Sequence, residues 1–140
     1  MGRLQVPKIV RPLALKDYAE EFGQEVIHVW LNPPRELWLK YDPLVDEAGK
    51  IRKRLSDREK PLETVEAEAA VKRLGEIGGE IQAWYAEIWS QGPDEKSRWT
   101  TGEIEELISG TMKTDPALWP WLTGRTLVMI LEHRNLAKKG

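Results

Sequence analysis

The chain has no cysteine among its 140 residues, which removes disulfides, thiolate metal sites and cysteine nucleophiles together and gives no sign of an oxidising compartment. Histidine is nearly as scarce. His28 and His133 are the only two, far apart and outside any metal-ligand spacing. No apolar run approaches the roughly 18 residues of a membrane helix, and the opening MGRLQVPKIVRPLAL lacks the unbroken apolar stretch of a signal peptide. Val6 stands where a myristoylation pattern beginning at Gly2 needs Ser or Thr. Neither charge dominates: 21 Lys and Arg face 23 Asp and Glu, a formal net charge of −2, so overall charge points to no polyanionic partner. Gly-rich phosphate loops, nucleophile elbows and internal repeats are missing too. What these absences leave is the expectation of a single cytoplasmic domain, 1–140, that is not an enzyme and uses no cofactor or metal.

The N-terminal third has strand character. QEVIHVWL, Gln24 to Leu31, is rich in β-branched and aromatic residues, with Val26, His28 and Trp30 on one face and Ile27, Val29 and Leu31 on the other. His28 in that alternation reads as a satisfied structural histidine, and His133, beside Glu132, as a solvated one. Upstream, KIVRPLAL allows a second strand, interrupted or started by Pro12, and LKDYAEEF allows a turn of helix ending at Gly23. At NPPRELW, Asn32 is a favoured N-cap and Pro33 suits a first helical position, which predicts a strand-to-helix join. Neither proline is followed by another three residues later, so no PxxP ligand is present. Residues 1–45 thus read as strands plus a short helix, and 46–60 as a charged loop. Arg52, Lys53 and Arg54 are the candidate basic surface there. Because reading residues are not interleaved with them, a solvated or protein-docking segment suits them better than nucleic acid.

Residues 61–140 read as helical. From Pro61 to Ser90, the apolar residues Leu62, Val65, Ala69, Leu74, Ile77, Ile81, Trp84 and Ile88 recur mostly at steps of three and four. Gly75, Gly78 and Gly79 interrupt this helix at about 1 kcal/mol each relative to Ala; either close packing or a local break explains them, or they form a flexible point for a partner. Gly92 and Pro93 end the helix. Thr100 and Glu103 have the spacing of a capping box, with Ile104, Leu107, Ile108 and Met112 as the apolar face behind them. Asp115 and Pro116 open a short segment that Pro120 keeps from becoming a long helix. Thr123 is the expected cap of the last helix, where Leu127, Ile130, Leu131 and Arg134 share a face and Lys138 and Lys139 suit the C-terminal dipole. The fold class is therefore α+β, predominantly helical, a small N-terminal β element followed by a helical bundle, with about half the residues in helices.

Seven tryptophans stand against one phenylalanine. Trp84 falls on the core stripe. Trp89, Trp119 and Trp121, with Gly78 and Gly79, are candidate partner contacts, and a peripheral core is the other reading of the three rings.

EVIHVWLNPPRELW, the later AWYAEIWSQGP, then TTGEIEELI and TDPALWPWLTGRTLVMILEHR, together resemble the small tail assembly chaperones of long-tailed bacteriophages and prophages. The resemblance begins near Glu25 and covers most of the chain. It implies a small sheet followed by helices, no catalytic residues to carry over, residence in the cytoplasm of the bacterial host, and binding of tape measure and tail tube proteins. An apolar groove covering an amphipathic client helix is the physical form such binding takes, and a homo-oligomer is left open. The rival readings are a nucleic-acid-associated regulator using residues 50–60 and a structural subunit of a protein assembly.

Overall fold

A computed structural model of the chain describes residues 6–139, with side chains through residue 135. The readings made on Gly2 and on the side chains of Lys138 and Lys139 lie outside the described residues. The protein is α+β and mostly helical, with 65% of its residues in helices and a two-stranded antiparallel sheet near the N-terminus. It divides into two compact units, residues 1–33 with 85–140, and residues 34–84.

In the first unit β1 (Val10–Ala14) pairs with β2 (Val26–Trp30), and Pro12 lies opposite His28. A proline in mid-strand survives because of register. The flanking bonds Leu31 N–H to Ile9 C=O and Leu15 N–H to Glu25 C=O place the hydrogen-bonded pairs at odd positions of β1, so Pro12 falls at a non-bonded pair and its missing N–H costs the ladder nothing. Ile27, Val29 and Leu31 are all buried, as the alternation requires. The far edge of β2 is capped by a bridge from His28 to Ser90 and by the Trp99 indole N–H, which donates to the Val26 carbonyl at 2.8 Å. Between the strands are two 3-10 turns, Leu15–Asp17 and Glu20–Phe22. They end at Gly23, whose φ of 61° demands glycine.

Asn32 does not cap a helix. Its amide accepts from Ile9 N–H (2.8 Å) and donates to Pro7 C=O (2.9 Å), extending the sheet by a side chain. The helix α1 starts two residues after Pro33, at Arg35. The strand-to-helix join stands, but a strand-end asparagine had a better partner across the sheet than along the helix.

The rest of the first unit is mostly helical. Thr100 and Glu103 form the capping box of α3 (Thr101–Glu106), which passes through a π-helical turn, Leu107–Thr111, into α4 (Met112–Thr114). The π turn has a packing reason. Ile104, Leu107 and Met112 are all buried, and a five-residue step from Leu107 to Met112 returns to one face only when the helix is widened. Helix α5 (Leu118–Lys139) then runs unbroken through Pro120 and Thr123, which corrects the expected stop and restart. Pro120 occupies the first turn, where its N–H would have had no intrahelical partner. Thr123, far from capping, donates its hydroxyl back to Trp119 C=O at 2.9 Å. The buried face of α5 is Leu118, Leu122, Thr126, Met129 and Ile130; Leu131 is 53% exposed.

The second unit contains α1 (Arg35–Leu55) and α2 (Thr64–Trp89) as far as Trp84. Residues 46–55, expected as charged loop, are helix. Leu37, Tyr41, Leu44, Ala48, Ile51 and Leu55 repeat at steps of four and three, all of them buried or half-buried, and this stripe overrides the local breakers Pro43 and Gly49. Pro43 lies on the exposed side, where water can satisfy the Leu39 carbonyl it leaves without a partner. The complementary stripe on α2 is Ala67, Ala70, Leu74, Ile77, Ile81 and Trp84; Val65 and Ala69, assigned to it from sequence, are exposed. Two contacts fix the helices antiparallel: Trp84 Nε1–H donates to Leu37 C=O at 2.7 Å, and Arg73 forms a bidentate pair with Glu47 at 2.7 and 2.9 Å. Tyr41 stacks on Trp84 at 4.3 Å with Trp38 against both.

Hydrogen bonds from Arg73 hold the Glu47 carboxyl below its ordinary pKa, against some opposition from burial and with added Coulombic attraction. A depressed folded-state value means that the pair's contribution is complete above the unfolded-state pKa and is lost as pH falls through the folded one. Melting temperature is expected to drop between about pH 5 and pH 3, and Glu47→Gln should flatten part of that drop. Superimposable acid curves for the two proteins would show that the pair has no share in it.

Candidate protein-docking site

The first unit holds a chain of aromatic rings. Tyr85 and Trp89, from the end of α2, lie 5.3 Å apart, and Trp119 of α5 meets them edge-on at 5.5 and 6.0 Å. Trp89 is fully buried, its indole N–H donating to Thr126 Oγ1 at 3.0 Å. It is a core residue, and its assignment as a partner contact is corrected: the five-residue step from Trp84 takes it off the hairpin stripe and into the interior of the first unit. Trp119 and Trp121 are half-buried. Trp121 packs on Tyr18 at 5.3 Å, and Tyr18 donates to Asp115 Oδ2 at 2.7 Å, a bond that raises the phenol's pKa above its ordinary value, with burial and the Asp115 charge adding to the effect. Asp115, expected to open the segment before the last helix, thus also anchors the connection between the strands.

Outward from this corner α5 carries a second apolar stripe. Trp121, Gly124, Val128 and Leu131 follow at steps of three and four, with Val128 42% and Leu131 53% exposed. The apolar run TLVMIL foreshadowed it, since six consecutive residues of a helix point all round the axis and one neighbouring layer covers only part of them. Sequence reasoning placed Leu131 on the inner face because it counted the run from Leu127, whereas the inner face is set from Leu118.

A cleft of about 590 Å³ opens between the turn before β2 and the loop that precedes α3, with Phe22, Glu25, Lys96 and Trp99 among its walls. Two of its ionisable groups, Arg98 and Glu103, are committed to the fold. Arg98 donates twice to Gly92 C=O, and Glu103 accepts from Thr100 N–H in the capping box. Gly92 has no room for a side chain, because a Cβ would come within 2.8 Å of the Arg98 backbone. Asp94 is held below its ordinary pKa first by the Ser97 backbone N–H and then by the Ser97 hydroxyl, with smaller help from Lys96 N–H and the nearby His28 charge. His28 itself is half-buried and its Nδ1 is buried with no hydrogen-bond partner, as is also true of the Trp30 indole N–H, which corrects the expectation of a satisfied histidine. Among the described residues no group of three or more His, Asp or Glu is placed to hold a metal ion, and no helix is long and apolar enough to cross a membrane.

The other candidates lie in the second unit. Arg52, Lys53 and Arg54 are exposed on the last turn of α1, where positive charge complements the helix dipole, and Arg54 also donates to Lys60 C=O. Gly78 and Gly79 sit in unbroken helix, and a Cβ added at either, or at Gly75, meets nothing within 4 Å. This corrects the expectation of close packing or a break. No family model, curated protein or solved structure matches the chain.

Proposed function

We propose that the protein is a non-catalytic binding protein that holds an apolar helix of another polypeptide, and that its setting is the one implied by the resemblance: a tail assembly chaperone that keeps a tape measure protein soluble and recruits tail tube subunits in the bacterial cytoplasm. The uncovered stripe on α5 carries the binding part of this reading. Trp121, Gly124, Val128 and Leu131 present an apolar surface about three turns long, beside a half-buried Trp119 and flanked by the exposed Arg125 and Glu132. An amphipathic client helix is matched to such a strip through its own i, i+3, i+4, i+7 residues. The basic residues at the end of α1 complete a helix and anchor a turn, which gives the nucleic-acid alternative no separate support.

Co-expression with a tape measure fragment tests the reading. The fragment is expected to move from the insoluble to the soluble fraction in the presence of the chain. Val128→Glu with Leu131→Glu should abolish the gain while leaving the far-UV circular dichroism spectrum unchanged, since both residues face outward. A fragment that stays insoluble beside the wild-type chain would count against the chaperone role, and full rescue by the double variant would move the docking surface elsewhere.

A further inference from the structure

The helical hairpin of the second unit supports a separate inference that does not depend on the chaperone reading. The Glu47–Arg73 pair, with Glu80 3.7 Å from the same guanidinium, marks one side of the α1/α2 seam as charged. Helical spacing brings Trp38, Val45 and Gly49 of α1 beside Val71, Gly75 and Gly78 of α2 on the opposite side, where the exposed Arg52 and Glu68 flank them. On that side Val45 is 44% and Val71 59% exposed. Two helices share one seam, and a helical layer needs a second layer to cover its apolar side.

We propose that a second copy of the chain closes this face, laid antiparallel about a two-fold axis so that α1 meets α1 and α2 meets α2 in a four-helix bundle. Self-complementarity of the surface argues for a copy of itself as the occupant. Along the α1 rim the exposed charges run Asp42, Asp46, then Lys50, Lys53. Reversing a second chain about Ala48 sets each acid of one against a base of the other. Within one chain Lys50 and Asp46 already pair at 3.1 Å, both well exposed, so the rim is free to exchange partners. Ala48 lies level with Arg73, as the Glu47–Arg73 pair shows. At that level the same two-fold sets Val71 over Gly75 of the second chain, where the space for a Cβ is empty. The bulk that protrudes on α2 thus faces the position that lacks a side chain.

Sedimentation equilibrium of the full chain at about 100 µM is expected to give twice the 16.1 kDa of one chain. Asp42→Lys/Asp46→Lys and Lys50→Glu/Lys53→Glu should each be monomeric under those conditions with helicity retained, because each reversal sets like charges across the axis. An equimolar mixture of the two should regain the dimer, since every cross-chain pair is then opposite in sign. Val71→Asp, an exposed position, should also give a monomer and serves if a charge-reversed variant fails to fold. A monomeric wild type, a dimer in either charge-reversed variant alone, or a mixture that stays monomeric overturns the proposal.

Discussion

Replacing Trp89 with alanine is expected to lower the unfolding free energy by about 3–5 kcal/mol, a large fraction of the roughly 5–15 kcal/mol that holds a domain together. The ring has no exposed surface, so deletion leaves a cavity bounded by Tyr85 and Trp119, whose ring contacts at 5.3 and 6.0 Å go with it. A polar loss adds to the apolar one. The indole N–H is bonded to Thr126 Oγ1, and Thr126 is itself fully buried with its hydroxyl donating to Leu122 C=O at 2.8 Å. Without the indole that oxygen is left with an unfilled acceptor site. Trp89→Phe keeps most of the volume but loses the N–H and part of the bicyclic ring, so it should cost less than alanine, about 1–2 kcal/mol. Urea unfolding followed by circular dichroism reads both. A loss below about 1 kcal/mol for the alanine variant would mean that the ring is not a core anchor and would restore its candidacy for partner contact.

The pair Gly78→Ala/Gly79→Ala should act in the opposite direction, stabilising the chain by about 2 kcal/mol and raising the melting temperature by roughly 5 °C. Both positions lie within continuous α2, both have negative φ, and a methyl group at either meets no atom within 4 Å. Nothing in the folded chain opposes the alanines, which restrict the unfolded chain and suit the helix better. Thermal unfolding by circular dichroism decides the matter. A fall in stability would show that α2 has to bend at these residues, or let another backbone approach them, which is the flexible-point reading of the same glycines.

Several features of the fold follow from local physics alone. The alternation in QEVIHVWL identifies β2 and its buried Ile27, Val29 and Leu31, because side chains in a strand point to opposite faces whatever the strand packs against. Thr100 and Glu103 announce α3, since a capping box closes within four residues. The proportion of helix exceeds expectation for one reason in two places. Proline and glycine read as stops in α1 and α5, yet Pro43 lies on an exposed side and Pro120 in a first turn, where neither removes a bond that matters. Whether a breaker breaks depends on its face and turn, and those are properties of the folded chain.

The candidate docking surfaces are half legible for a related cause. Counting tryptophans draws attention to the right corner, but composition does not say which rings face inward: Trp89 is sealed against Thr126, whereas Trp121 lies at the head of an open stripe. By itself the sequence determined the element types, the capping box, the absence of thiol chemistry and the mostly helical class, all of which follow from residues within a few positions of one another. Tertiary structure alone decided that Asn32 serves the sheet, that the α3 helix widens to seat Met112, which phase of α5 is buried, and which side of the α1/α2 seam carries the Glu47–Arg73 pair. Each of these is settled by a partner distant in sequence, such as Ile9 for Asn32 or Arg73 for Glu47, and no local pattern records where that partner will be.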